Sequence, residues 1–195
     1  MTAPDDGLVR CDWAVGRPDS ADFLLYRDYH DKEWGQPLHG RVPLFERMSL
    51  EAFQSGLSWL IILRKRANFR LAFSGFEPAV VAGFGADDVA RLLQDEGIVR
   101  NRAKIEAVIG NARALLELPT GLADLVWSYA DRAAPGPATT ADIPAATPAS
   151  KALSVQLRKH GFRFTGPVTA YATMQACGVV NDHLLDCFRR NAYPA

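Results

Sequence analysis

The stretch LLQDEGIVRNRAKIEAVIGNAR, residues 92–113, decides the fold. Residues 101–118 carry Ile105, Val108, Ile109, Ala112, Leu115 and Leu116, an apolar stripe with the 3.6-residue period of a helix. Before it, Asp87 and Asp88 open a second helix that carries Val89, Leu92 and Leu93 and ends ahead of Gly97. Two amphipathic helices joined by the short turn Gly97-Ile98-Val99-Arg100 make a helix-hairpin-helix over about residues 87–118. Backbone N–H groups at the turn from Gly97 onward would face a phosphate at the start of the second helix. Arg100, Arg102 and Lys104 would add positive charge. Phosphate contacts of this kind grip DNA without reading its sequence. A second basic run, Arg64-Lys65-Arg66 with Arg70, would extend that surface. The plainer alternative is two packed helices with solvated basic faces, since hairpins of this type usually carry two glycines and this one has Gly97 alone.

Outward from the hairpin, helical signals continue and strand signals do not. Pro43 opens a helix bearing Leu44, Phe45, Met48 and Phe53, which Gly56 ends. Further helices are expected at about 58–73, 77–83, 122–129, 150–160 (capped by Gly161) and 167–178. Residues 1–10 read as a loose leader, 11–42 as irregular chain with short helical turns, and 131–148, rich in Ala, Pro and Thr, as a long connection. Phe162 to Thr165 reads as a short extended piece. The expected architecture is all-α, one domain over residues 11–195.

Composition narrows the class. At 195 residues and 48% apolar, the chain can bury a sizeable core. Twenty-two basic against 22 acidic residues leave no net charge, so a nucleic-acid partner has to be met by local clusters. Three cysteines, Cys11, Cys177 and Cys187, argue against a disulfide framework and suit a reducing cytoplasm. No apolar run is long enough to span a membrane, and the start MTAPDDGLVR lacks the apolar core of a secretory signal.

His183 and Cys187 are four residues apart, which puts two soft ligands on one side of a helical turn. With Cys11 and His30 they would complete a Cys2His2 set, which zinc takes tetrahedrally with no position left for water. Such a site is structural, fastening the N-terminal segment to the C-terminal one. The alternative makes Cys187 a small buried hydrophobe and His183 a surface histidine. Cys177 reads as a core thiol, and His39 and His160 as solvated.

Glu51 shares a narrow helix face with Leu44, Met48 and Ser55, so a carboxylate points where core should be. That is costly unless it is paired or has a function; a buried ion pair with an arginine is the bland alternative. Tyr29, Trp34 and Trp59 lie close to glycine-containing turns, and flat rings can sandwich a base, although singly each is more often core. Leu57, between Gly56 and Ser58 at a helix junction, could wedge into the gap left by an extruded nucleotide, or simply pack.

Taken together, CDW at 11–13, YRDYHDKEWG at 26–35, LFERMSLEAFQSGLSW at 44–59, GIVRNRAKIEAVIGNAR at 97–113 and MQACGVVNDHLLDC at 174–187 resemble the DNA-3-methyladenine glycosylase I family over almost the whole chain. The resemblance implies a helix-hairpin-helix glycosylase fold and a structural Zn2+ on Cys11, His30, His183 and Cys187. It also implies a base pocket lined by Tyr29, Trp34, Trp59 and Glu51, with Leu57 as the plug beside the lesion. The implied activity is hydrolytic release of 3-methyladenine, flipped out of alkylated double-stranded DNA, without a lyase step; a monomer is the plain expectation. One departure is Ala52-Phe53, where some members carry Gly after the glutamate; it could reshape the pocket edge. No Lys is placed as a Schiff-base nucleophile, and the general base is unassigned, Asp124 having only a roughly suitable separation. Two other classes compete: a zinc-stapled DNA-binding module, which would need no base pocket, and a zinc deaminase, whose H-x-E and P-C-x-x-C pattern is missing here.

Overall fold

The computed structural model describes residues 6–15, 21–131 and 135–192, and among these every regular element is helical. Nine α-helices follow in order: α1 Ala21–Lys32, α2 Arg41–Gln54, α3 Trp59–Ala72, α4 Pro78–Ala82, α5 Ala86–Gln94, α6 Arg102–Glu117, α7 Leu122–Trp127, α8 Pro148–Lys159 and α9 Pro167–Ala176. Single 3-10 turns occur at Asp12–Ala14, Ser74–Phe76 and Thr140–Asp142.

The hairpin helices lie where the periodicity puts them. α6 opens with Asn101 as N-cap, its side chain accepting from the Lys104 N–H at 3.1 Å. α8 begins on a capping box in which Thr147 and Ser150 exchange side-chain and backbone bonds. Pro43 falls in the first turn of α2 rather than at its start, where its missing N–H is still no loss.

α2 is the axis of the molecule. From Leu44 to Phe53 nearly every side chain is buried, Arg47 and Glu51 included, so the expected narrow stripe is in fact a helix enclosed on most sides. Behind it, Phe53 meets Phe69 at 4.6 Å and Phe73 at 5.7 Å between ring centres, and Phe73 stacks on Phe76 at 5.4 Å. Each such ring contributes roughly 1.5–3 kcal/mol by leaving water. In front, α9 packs on α2, and Leu38, just before α2, donates to Cys177 at the end of α9 at 3.1 Å. The C-terminal end of α2 therefore lies towards the beginning of α9.

Three expectations are corrected. Residues 21–32 form a full helix; its apolar residues are bunched at Phe23–Tyr26 and give no stripe, but packing against α3 supports it. Phe162–Thr165 is not extended: Phe164 takes a left-handed conformation (φ 55°), and Asn111 of α6 bonds both the N–H and the C=O of Arg163. Of the supposed leader, residues 1–5 lie outside the described residues, while Arg10 is buried and bonded to Asp6 and Asp31.

Candidate active site and metal centre

Cys11, His30, His183 and Cys187 converge, all four buried, with their ligand atoms within 4.8 Å of one another. Cys187 Sγ lies 3.4 Å from His30 Nε2 and 3.5 Å from His183 Nδ1; Cys11 Sγ lies 3.6 Å from His183 Nδ1. A tetrahedral ion with bonds of about 2.0–2.3 Å spaces its ligands roughly 3.3–3.8 Å apart, so these residues fit one. The outer contacts fit too. His30 turns its other nitrogen to Asp31 (2.8 Å), and His183 turns its own to the Trp34 carbonyl (3.3 Å), leaving one nitrogen of each ring aimed inward. Against the upward push of burial, hydrogen bonds from Arg10 and His30 hold the Asp31 carboxyl below its usual range. The Cys11 thiol, with His183 and His30, holds the Cys187 thiol far below its usual range. Gly35 closes the approach: φ is +78°, and a Cβ there would lie 2.8 Å from His183 Nε2.

The metal centre abuts a cleft. Tyr29 and His30 are consecutive in α1; the ring of Tyr29 lines the cleft while His30 joins the cluster. The cleft holds about 290 Å³ and is lined by Trp13, Tyr26, Tyr29, Trp34, Glu51, Gln54, Trp59, Ile143, Ala172 and Gln175. That volume is at the small end of ligand sites, which run roughly 300–1,000 Å³. Trp13 stands edge-on to Trp34 at 5.1 Å and to His30 at 5.2 Å, bridging cleft and cluster.

Glu51 is 5% exposed, and among the described residues no hydrogen bond or ion pair engages its carboxylate. Burial pushes its carboxyl up to about 7, with Arg47 pulling the other way. Arg47, one turn earlier on α2, is also buried; it bonds the Tyr29 hydroxyl and lies 3.4 Å from Glu33. Burial holds the Tyr29 phenol far above its usual range, so it remains neutral. The Trp59 indole N–H, also buried, has no acceptor among the described residues.

Of the residues expected to meet a base, Tyr29, Trp34, Trp59 and Glu51 are thus gathered in one cleft. Trp13, Tyr26, Gln54 and Gln175 were missed; all four stand inside the quoted stretches, but nothing in their spacing singles them out. Leu57 is 38% exposed in the turn between α2 and α3. Arg100 and Arg102 are exposed beside the hairpin. Ala52 and Phe53 belong to the core and do not line the cleft. Asp124 is exposed and lies outside the cleft lining.

Other basic groups behave differently from their sequence reading. Lys104 is 6% exposed, and its ammonium donates to the carbonyls of Phe53 (2.8 Å) and Ser55 (2.5 Å), so it caps the end of α2 rather than facing a phosphate. The Gly97 N–H is taken by Asp95 Oδ1 at 2.7 Å; glycine is needed there because a Cβ would meet Asn68 and Asp95 at 2.9 Å. In the run 64–70, Arg64 pairs with Asp22, Lys65 with the Glu96 carbonyl, Arg66 with Glu33 and Arg70 with Glu46. That run cross-links helices.

The family model described as Methyladenine glycosylase matches residues 20–190. DNA-3-methyladenine glycosylase 1 of Escherichia coli (strain K12) is 45% identical over 185 residues, 92% of this chain and 96% of that protein. DNA-3-methyladenine glycosylase of Haemophilus influenzae (strain ATCC 51907 / DSM 11121 / KW20 / Rd) is 42% identical over the same shares. A crystal structure of 3-methyladenine DNA glycosylase I superposes with a TM-score of 0.85 at 45% identity, covering 92% of this chain and 98% of the other. A variant of 3-methyladenine DNA glycosylase I in complex with 3-methyladenine superposes equally, at 0.85, with 32% identity, covering 95% and 99%.

Proposed function

Given that the chain belongs to the methyladenine glycosylase family, whose members hydrolyse N-glycosyl bonds, we propose that it releases 3-methyladenine from alkylated double-stranded DNA by receiving the extruded base in the cleft beside Glu51. The observation that carries this reading is Glu51 itself. A carboxylate set among aromatic rings, buried and unpaired, is expensive to keep unless a ligand meets it.

An adenine methylated at N3 is cationic in DNA and therefore a good leaving group. Cleavage runs through an oxocarbenium-like sugar. Water adds its oxygen to the anomeric carbon and gives a proton to solvent. The bond to the base breaks, its electron pair stays with the base, and the base departs neutral. The protein has to extrude, hold and orient, and strong acid catalysis is not required. Extrusion costs a few kcal/mol, less for a damaged base. Stacking on Tyr29, Trp34 and Trp59 at about 1–3 kcal/mol per ring contact offsets that cost. Glu51 accepts a hydrogen bond from the exocyclic amine, and its charge prefers a cationic base to ordinary adenine. Leu57 fills the vacated space in the stack. Arg100 and Arg102, exposed beside the hairpin, hold the phosphates.

The reaction is monofunctional on this reading. Lys104, the buried lysine after the hairpin, spends its amine on two carbonyls and is no Schiff-base nucleophile. Zn2+ would sit on Cys11, His30, His183 and Cys187; with all four positions filled by protein it supplies folding energy and no catalytic water. The enzyme works as a single domain and a monomer in the cytoplasm. The test is incubation with methylated duplex DNA and identification of the released bases. Release of 3-methyladenine that Glu51→Gln slows is expected; a chain that releases no methylated purine would overturn the reading.

A further inference from the structure

Glu51 has a charged neighbour that the family pocket does not account for. Arg47 is buried at 9% exposure one helical turn before it. Its guanidinium lies 5.1 Å from the ring centre of Tyr29 and 5.9 Å from that of Trp59, two rings that line the cleft. It bonds the Tyr29 hydroxyl and approaches Glu33, which Arg66 holds with two further bonds. Its bonds go to Tyr29 and Glu33, and among the described residues it forms no ion pair with Glu51 although the two are four apart on one helix. An arginine locked to Glu51 would occupy the oxygens a base must reach. An arginine held behind the rings leaves them free and still acts through its field, which is weakly screened in a dry interior.

We propose that Arg47 is a positioning residue that sets the selectivity of the cleft, anchoring Tyr29 from beneath and supplying the positive charge that lets Glu51 meet the base as a carboxylate. The inference rests on the reading of the cleft as a methylated-purine site.

The titratable and charged groups around Glu51 are Arg47 on its own helix, Tyr29 on α1 and Cys177 after α9. Glu33 of α1 faces Arg47 and Tyr29. Burial pushes the Cys177 thiol up to about 12 and the Tyr29 phenol higher, so both stay neutral near pH 7. Among the described residues, Arg47 is therefore the cation that opposes desolvation of Glu51. Without it, burial acts alone, Glu51 protonates at higher pH, and the preference for a cationic base fades. The positive charge of Arg47 also repels that base. Once Glu51 is fully ionised only this repulsion and the anchoring of Tyr29 remain, so removing Arg47 should cost least at alkaline pH and progressively more as pH falls.

The experiment is the pH profile of single-turnover 3-methyladenine release from methylated duplex DNA by the wild type, Arg47→Met and Arg47→Lys. The wild-type rate should fall on the acid side of about 7. In Arg47→Met that fall should move at least one unit alkaline, about a tenfold loss below neutrality per unit moved, with the gap to the wild type narrowest at alkaline pH. Arg47→Lys should restore the wild-type profile. An equal loss at every pH would mean a merely structural role, and an Arg47→Lys profile displaced like that of Arg47→Met would remove the charge from the account; either overturns the proposal. If Arg47→Met does not fold, Arg47→Gln carries the same comparison. NMR titration of the Glu51 carboxyl in wild type and variant reports on Arg47 even if no methylated base is released, which separates failure of this inference from failure of the proposed function.

Discussion

α2 separates two aromatic regions that differ in what they do. Behind it, Phe53, Phe69, Phe73 and Phe76 close on one another, all four rings fully buried. In front of it, Tyr29, Trp34 and Trp59 stand around about 290 Å³ of space beside a carboxylate. Both sets are buried, and both belong to one continuous core. Aromatic content and burial therefore do not distinguish a site from a core. The distinguishing marks are the space and the polar groups beside it that have no partner among the described residues, Glu51 and the Trp59 indole N–H.

The sharpest way to break this contrast is to remove what holds the front wall. His183→Ala, or a strong chelator, should cost more than any other change, several kcal/mol and loss of base release together, since structural zinc is worth about 10–16 kcal/mol in small metal-folded peptides. Metal analysis alongside thermal unfolding checks it; a His183→Ala protein with unaltered melting and activity would defeat the metal assignment.

Phe53→Ala addresses the back wall. It should lower stability by roughly 3–5 kcal/mol in denaturant titration while the surviving folded protein still binds base. If base affinity were lost in proportion, the two walls would not be separable.

Glu51→Gln should act in opposite senses on stability and function. The Glu51 carboxyl is held up at about 7, above its ordinary value in an unfolded chain. Its favourable contribution is thus complete in acid, below the unfolded value, and lost as pH rises through about 7. Glutamine escapes that loss, so the variant should be more stable than wild type at alkaline pH, by up to about 3 kcal/mol, and no more stable at pH 4. Melting curves at the two pH values decide it; release of 3-methyladenine should drop in the same variant.

Much of this contrast was legible in the sequence. The period of residues 101–118 identified the hairpin helices, the i, i+4 pair His183 and Cys187 pointed to a metal, and Glu51 on an apolar face flagged the cleft. What the sequence hid has a common cause: a long side chain can reach either water or the interior, and spacing along the chain does not say which. Arg64, Lys65, Arg66 and Arg70 look like a DNA-facing run, yet their acceptors lie 24 to 42 residues away in sequence. Lys104 seemed part of the phosphate grip but turns inward to α2. Arg47 carried no signal except its place one turn before Glu51.

The smallest effects concern the turn between the walls. Lys104→Met leaves the carbonyls of Phe53 and Ser55 without their donor and should cost about 1–3 kcal/mol. Leu57→Ala, at an exposed position, should change stability by no more than about 0.5 kcal/mol while slowing release from duplex DNA. Free 3-methyladenine should still bind to it, as nuclear magnetic resonance or tryptophan fluorescence would report; weakened binding of the free base would make Leu57 part of the pocket and not a plug.

The N–H of Phe188 donates to the carbonyl of Val9 at 2.9 Å, beside the cysteine–histidine cluster. Positions at opposite extremes of the numbering are thus spatial neighbours. A gene rearranged so that residue 188 runs on through a short linker into residue 9, with the new break placed in the exposed 135–147 stretch, should encode a working enzyme. In such a permutant the covalent join would duplicate the job of the metal, so its tolerance of chelators would measure directly how much of the ion's contribution is simple tethering.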